Sequence, residues 1–135
     1  MADLIEITSK EQFQREIQRA RAVALFSADF CDPCEKIKGL VKNNTEVDDF
    51  LREHEIQFLN INVPSNLSLT KLAINPRLMP PDNHIRIPHT DFYLNGQYFA
   101  SKSHYQVSRY NLKTGTTTKL EDSYLIKLLK SKFGL

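Results

Sequence analysis

Both cysteines of this 135-residue chain fall in one stretch, Phe26-Ser27-Ala28-Asp29-Phe30-Cys31-Asp32-Pro33-Cys34. At the mouth of a helix, Cys-x-x-Cys spacing lets two sulfurs reach disulfide distance without straining the backbone. Cys31 is expected at or near the helix N-cap, where backbone N–H groups lack partners and the dipole's positive end favours an anion. Such an end is worth roughly 0.3–2 kcal/mol to a charge, or up to about 1.5 pKa units. Thiolate is the attacking species, so Cys31 is the expected nucleophile. Cys34, one turn further in, is the expected resolving thiol. Two other readings stay open on these residues. Structural zinc normally takes four ligands, yet the chain has no second cysteine pair, and His54, His84, His89 and His104 lack ligand spacing. A purely structural disulfide closing so small a loop would stabilise little. The redox reading is preferred, with no metal and no cofactor expected.

The flanking pattern supplies the elements that would position this dithiol. Ala22-Val23-Ala24-Leu25-Phe26 reads as a buried strand leading in. A long helix is expected from about Pro33 to Glu53, with Ile37, Leu40, Val41, Val47, Phe50 and Leu51 mostly on one face and Gly39 weakening its middle. Pro33 suits a first helical turn because its missing N–H would have no partner there. Upstream, Leu4-Ile5-Glu6-Ile7 reads as a short strand. Ser9 and Gln12 make a capping box for a helix carrying Phe13, Ile17 and Ala20. Downstream, Ile56 to Val63 is a strand with Leu59, Ile61 and Val63 on one face and Ile56 and Phe58 on the other. A short helix from about Asn66 to Ile74 and a loop holding Pro76, Pro80 and Pro81 come next. Ile87 to Leu94 is a strand, Asn95-Gly96 a hairpin turn, and Gln97 to Ser101 the returning strand. The segment from Lys102 to Leu120 reads as a second, extended hairpin, the alternative being a flexible flap. An amphipathic helix from Glu121 to Phe133 closes the chain.

Length and composition bound the class. A chain of this size is one domain, 1–135, able to bury a core without staples. Charged residues at 25% and apolar residues at 41% are those of an ordinary soluble globule. A net charge of +2 makes no electrostatic case for nucleic acid, and no apolar run approaches a membrane span. The N-terminus has neither a basic nor an apolar signal region, and no further cysteine forms a disulfide framework, so a reducing, cytoplasmic setting is expected.

Taken together, Phe26 to Cys34, Leu59-Asn60-Ile61-Asn62, Ile87-Pro88 and Asn95-Gly96 resemble the thioredoxin family, over about residues 3–100 and 121–133. The resemblance implies an α/β, thioredoxin-like three-layer fold: a mixed central sheet flanked by helices, with two insertions at about 75–86 and 102–119. It implies that Pro88 is a cis proline facing the dithiol. The Ile87 backbone would then pair with an extended substrate, recognition that reads main chain more than side chain. Phe30, Asp32, Pro33, Ile87 and Pro88 are the implied substrate contacts, and Cys31 and Cys34 the implied catalytic pair. The implied activity is that of a thioredoxin-like protein-disulfide reductase. Its partners would be protein disulfides and a thiol-recycling reductase or glutathione, and the expected state is a monomer.

The chain departs from the family at several positions. Phe30 stands where the family usually has Trp, and Asp32-Pro33 where typical members have Gly-Pro. Asp32 sets a negative charge beside Cys31. The family's buried acid aligns with Leu25 and its lysine partner with Phe58, so the usual proton acceptor for the resolving thiol is absent. Water or Glu35 would have to serve Cys34. Gly39 stands for a helix-kinking proline, and the glycine after the last strand has no counterpart. These losses motivate a second reading, a binding module whose insertions dock a partner. His89 and Arg86 flank Ile87-Pro88 and are expected to be a hydrogen-bonded strand histidine and a surface arginine, the alternative being a positive charge lent to Cys31. Asp91 is expected at an exposed edge or paired. Tyr105 and Tyr110 are expected to pack on the domain rather than bind a partner.

Overall fold

The apolar run ahead of the cysteines forms β2 (Arg21–Ser27), every residue of which after Arg21 is buried. The structure is a computed structural model and describes residues 4–29, 31–66, 68–70, 87–103, 108–111, 116–119 and 124–135. On one side β2 pairs in parallel with β3 (Ile56–Asn62), which pairs in parallel with β1 (Leu4–Glu6). On its other side β2 pairs antiparallel with β4 (His89–Leu94), which turns through Asn95-Gly96 into β5 (Gln97–Ser103). The sheet is therefore mixed, in the order β1-β3-β2-β4-β5. The hairpin turn has φ +51° at Asn95 and +84° at Gly96, the left-handed pair that a tight two-residue connection requires.

Because strand side chains alternate, β2 feeds two cores. Val23 and Leu25 join Ile56, Phe58 and Phe92 on one face. They are covered by α2 (Asp32–Asn43), α3 (Thr45–Glu53) and α4 (Tyr124–Phe133) through Ile37, Val41, Val47, Leu51, Leu125 and Leu129. Ala22, Ala24 and Phe26 join Leu59, Ile61 and Tyr93 on the other, covered by Phe13 of α1 (Lys10–Glu16) and by Ile17 and Leu69. Each such side chain fully buried contributes about 1.5–3 kcal/mol. The result is the expected three-layer α/β arrangement, with faces of β3 divided as the sequence implied.

The single helix expected from Pro33 to Glu53 is two helices. Asn44 takes an extended conformation (φ −90°, ψ 119°); its N–H donates to Leu40 O at 3.1 Å, and its Oδ1 accepts from Val47 N–H at 3.1 Å. One asparagine thus closes α2 and caps α3, while Gly39 lies unbroken inside α2. At α1 the cap is as expected: Ser9 Oγ accepts from Gln12 N–H at 3.1 Å. Gln12 reaches back one residue further than a capping box does, its Oε1 accepting from Thr8 N–H.

A second pair of strands, β6 (Ser108–Asn111) and β7 (Thr116–Lys119), forms an antiparallel ladder from Ser108↔Lys119 to Asn111↔Thr116. The connection at 112–115, Tyr105, Arg86 and the proline-rich stretch 75–86 lie outside the described residues, as does most of the helix expected after Asn66.

Candidate functional site

β2 ends at Ser27 and the chain turns at once into α2, the Cys31 N–H donating to Ala28 O at 3.1 Å. Cys31 is the N-cap of α2, with extended backbone (φ −101°, ψ 101°). Its Sγ accepts a hydrogen bond from the Cys34 N–H at 3.2 Å, the role a serine or aspartate oxygen plays at other helix starts. Cys31 and Cys34 form a disulfide with their Cα atoms 5.2 Å apart. Pro33 occupies the first turn, where no backbone hydrogen bond is lost. The two sulfurs differ in access: Cys31 is 8% exposed and Cys34 is sealed.

Ala28, Cys31 and Cys34 form a small cluster of their own, and partly buried Ile87 packs against it. The Ile87–Pro88 peptide bond is cis, and Pro88 is buried. The structure thus brings Cys31, Cys34, Pro33 and Ile87 to one end of the sheet. Asp32 is exposed in the first turn of α2, and Phe30 lies outside the described residues.

Charge around the dithiol is arranged unevenly. Asp32 and Glu35 both sit in the first turn of α2. Glu35 Oε1 holds Lys38 Nζ at 2.8 Å, and Lys38 is buried although a lysine at that depth is uncommon. On the sheet face beneath α2, Leu25 and Phe58 are both fully buried and apolar. At the cysteine end of that face a hydrogen-bond chain crosses three strands. Ser27 Oγ donates to Asn60 Oδ1 at 2.6 Å, and Asn60 Nδ2 donates to Glu6 Oε2 at 2.8 Å. At the rim, Asn62 Nδ2 donates to Asp29 Oδ1 at 3.0 Å. Neither Lys38 nor the Ser27–Asn60–Glu6 chain was foreseen as part of the site. The signal available was a polar residue, Ser27, Lys38 or Asn60, set among apolar neighbours.

His89 and Asp91 lie on the opposite face. His89 is 2% exposed and Asp91 0%, with Nε2 and Oδ1 2.7 Å apart. The His89 ring packs on Phe26 at 5.7 Å. His89 is therefore the hydrogen-bonded strand histidine the sequence favoured, and Asp91 is paired inside the sheet rather than set at an edge. Tyr93, on the same face, has its phenol pKa raised well above the ordinary value by burial first, then by the Asp91 carboxylate and by Tyr98.

No protein-family model matches the chain, and no curated protein does. Solved structures do. The oxidised thioredoxin of Plasmodium falciparum is 17% identical with a TM-score of 0.60, the match covering 96% of this chain and 98% of that one. A thioredoxin variant from Halobacterium salinarum is 14% identical with a TM-score of 0.63, covering 96% and 90%. This chain has the thioredoxin fold. The thioredoxin of Malassezia sympodialis, 16% identical with a TM-score of 0.61, covers 97% of this chain and 91% of its own. Among the described residues no helix is long and apolar enough to cross a membrane, and no cluster of three or more His, Cys, Asp and Glu side chains could hold a metal ion.

Proposed function

We propose that this protein is a thiol–disulfide oxidoreductase that reduces protein disulfides through Cys31 and Cys34. The observation that carries the reading is the cap: Cys31 Sγ sits at a helix start and already accepts a backbone N–H, so a thiolate formed there is hydrogen-bonded and faces the dipole's positive end. In the reduced protein the Cys31 thiolate attacks one sulfur of the substrate disulfide. That S–S bond breaks, and the departing sulfur leaves as a thiolate that takes a proton from water. Cys34, deprotonated, then attacks Cys31 Sγ; the Cys31–Cys34 bond forms and the second substrate sulfur leaves as a thiolate. Two electrons have moved from the protein dithiol to the substrate. A thiol-recycling reductase or glutathione, in a reducing cytoplasmic setting, returns them.

Ile87, packed on the disulfide, offers its backbone to an extended substrate segment. Pro88, Pro33, Asp32 and Phe30 complete the proposed contact surface. The test is insulin reduction by dithiothreitol. Turnover that vanishes in Cys31→Ser supports the reading; turnover no faster than in that variant overturns it.

One observation favours a second reading, a docking module with slow redox turnover. Leu25 and Phe58, fully buried beneath α2, are apolar, so neither position offers a carboxylate to take the Cys34 proton. Partner capture that persists when both cysteines are serine, and fails when 75–86 or 102–119 is deleted, would select that reading.

A further inference from the structure

The resolving step requires Cys34 as a thiolate, and Cys34 is fully buried, clustered with Ala28 and Cys31 with Ile87 packed against them. Burial in such a place opposes the charged form of a thiol. A buried cation on the same helix, one turn further on, is Lys38. It is 8% exposed, and burying an ammonium is costly unless something on the inside uses it. A lysine on a helix face that packs against a sheet would ordinarily snorkel outward. Lys38 instead folds back toward the helix start, where Glu35 Oε1 holds its Nζ at 2.8 Å. Cys34 precedes Lys38 by four residues, so the two are neighbours on the helix surface with Cβ atoms about 5–6 Å apart.

The Lys38 charge is not balanced evenly. The Glu35 side chain is 52% exposed and that of Lys38 is 10% exposed, so water screens the carboxylate more than the ammonium. Inward of the pair, Leu25 and Phe58 supply no counterion. Other charged groups around α2 among the described residues include Asp29, which accepts from Asn62 at the rim, half-buried Lys36 and exposed Lys42. Asp32 is exposed; the Glu6 carboxylate on β1 accepts from Asn60; Asp48 on α3 is bound by Arg52 at 2.6 Å. Arg21, at the far end of β2, donates to His54 O, and Lys130 on α4 lies over the Phe50 ring.

We propose that Lys38 is a positioning residue for the resolving thiol: its enclosed ammonium, fixed over the first turn of α2 by Glu35, stabilises the Cys34 thiolate. The assignment rests on the disulfide-exchange reading and names the device that replaces a buried proton acceptor. Cys34 gives its proton to water and Lys38 keeps its own. The thiolate then attacks Cys31 Sγ as written above, with no further reactant.

The experiment titrates one thiol at a time in the reduced, full-length chain, by the near-ultraviolet absorbance of the thiolate, which needs no reagent to enter the core. In Cys31→Ser, where Cys34 is the sole thiol, adding Lys38→Met is expected to raise its pKa by about one unit, a tenfold loss of thiolate below the pKa. Lys38→Arg is expected to restore at least half of that shift. In Cys34→Ser, Lys38→Met is expected to move Cys31 by a small fraction of that amount. Should Lys38→Met not fold, Lys38→Gln carries the same expectation. A Cys34 titration unchanged in a folded Lys38 variant overturns the proposal, and so does a Cys31 shift as large as that of Cys34. Insulin turnover by the unmutated protein tests the underlying activity separately: turnover with a flat Cys34 titration sinks only the role of Lys38.

Discussion

The two faces of β2 treat charge in opposite ways. Under α2, positions 25 and 58 are apolar, and a buried ion there, Lys38, comes from the helix rather than the sheet. On the other face, under α1, the sheet itself buries an ionisable pair, His89 with Asp91, and Asp91 Oδ2 has no hydrogen-bond partner among the described residues. The ionisable pair that the sheet buries thus lies on the face turned away from α2. The face with the sulfurs is left to be served by its covering helix.

The sharpest way to break this contrast is Leu25→Asp, which puts an unpaired carboxylate into the apolar face. It is expected to cost about 3–5 kcal/mol at neutral pH, read by denaturant unfolding, and less in acid where the group is neutral. Adding Phe58→Lys should recover part of the loss. On the other face, His89→Leu strands the Asp91 charge and is expected to cost about 3 kcal/mol. His89→Leu with Asp91→Leu should return to within about 1 kcal/mol of the parent, because a buried pair replaced by apolar groups is close to neutral. A double variant no better than the single one would mean that the pair organises that face.

The alkaline limb of stability sharpens the contrast further. Burial and the Asp91 charge hold the Tyr93 proton in the folded protein above the pH at which an unfolded chain releases it. A raised folded pKa contributes stability in full below about pH 10 and loses it as pH climbs toward the folded value, by up to about 1.4 kcal/mol per pH unit. Thermal melts above pH 10 should fall less steeply in Tyr93→Phe. The smallest expected effects are shared by both faces. Ser9→Ala, which uncaps α1, and Asn44→Ala, which uncaps α3, should each cost about 1 kcal/mol in denaturant unfolding.

What the sequence revealed and what it hid follow from range. β2, the Asn95-Gly96 turn, the Ser9 cap and the Cys31 cap are all set by residues within a few positions of one another, so local pattern sufficed. The break at Asn44 was hidden because Leu40, Val41, Val47, Phe50 and Leu51 keep a helical spacing straight across it. The cue was an asparagine three residues before Val47, a cap signature inside an apparently continuous stripe. The His89–Asp91 pair lies two residues apart on one strand face and was half legible. The Ser27–Asn60–Glu6 chain joins residues 33 and 54 positions apart, and only the register of three strands brings them together. Lys38 was missed because a charge among apolar positions reads as solvent-facing until its burial is seen.

All of this turns on whether Cys31, and not Cys34, is the acid thiol. Mild alkylation of the reduced chain across pH, with the modified cysteine identified by mass spectrometry, measures that directly. The expected result is rapid modification of Cys31 with a midpoint below the ~8.5 of a free thiol, while Cys34 stays unmodified. A Cys31 midpoint at or above that value, or Cys34 reacting first, would contradict the account.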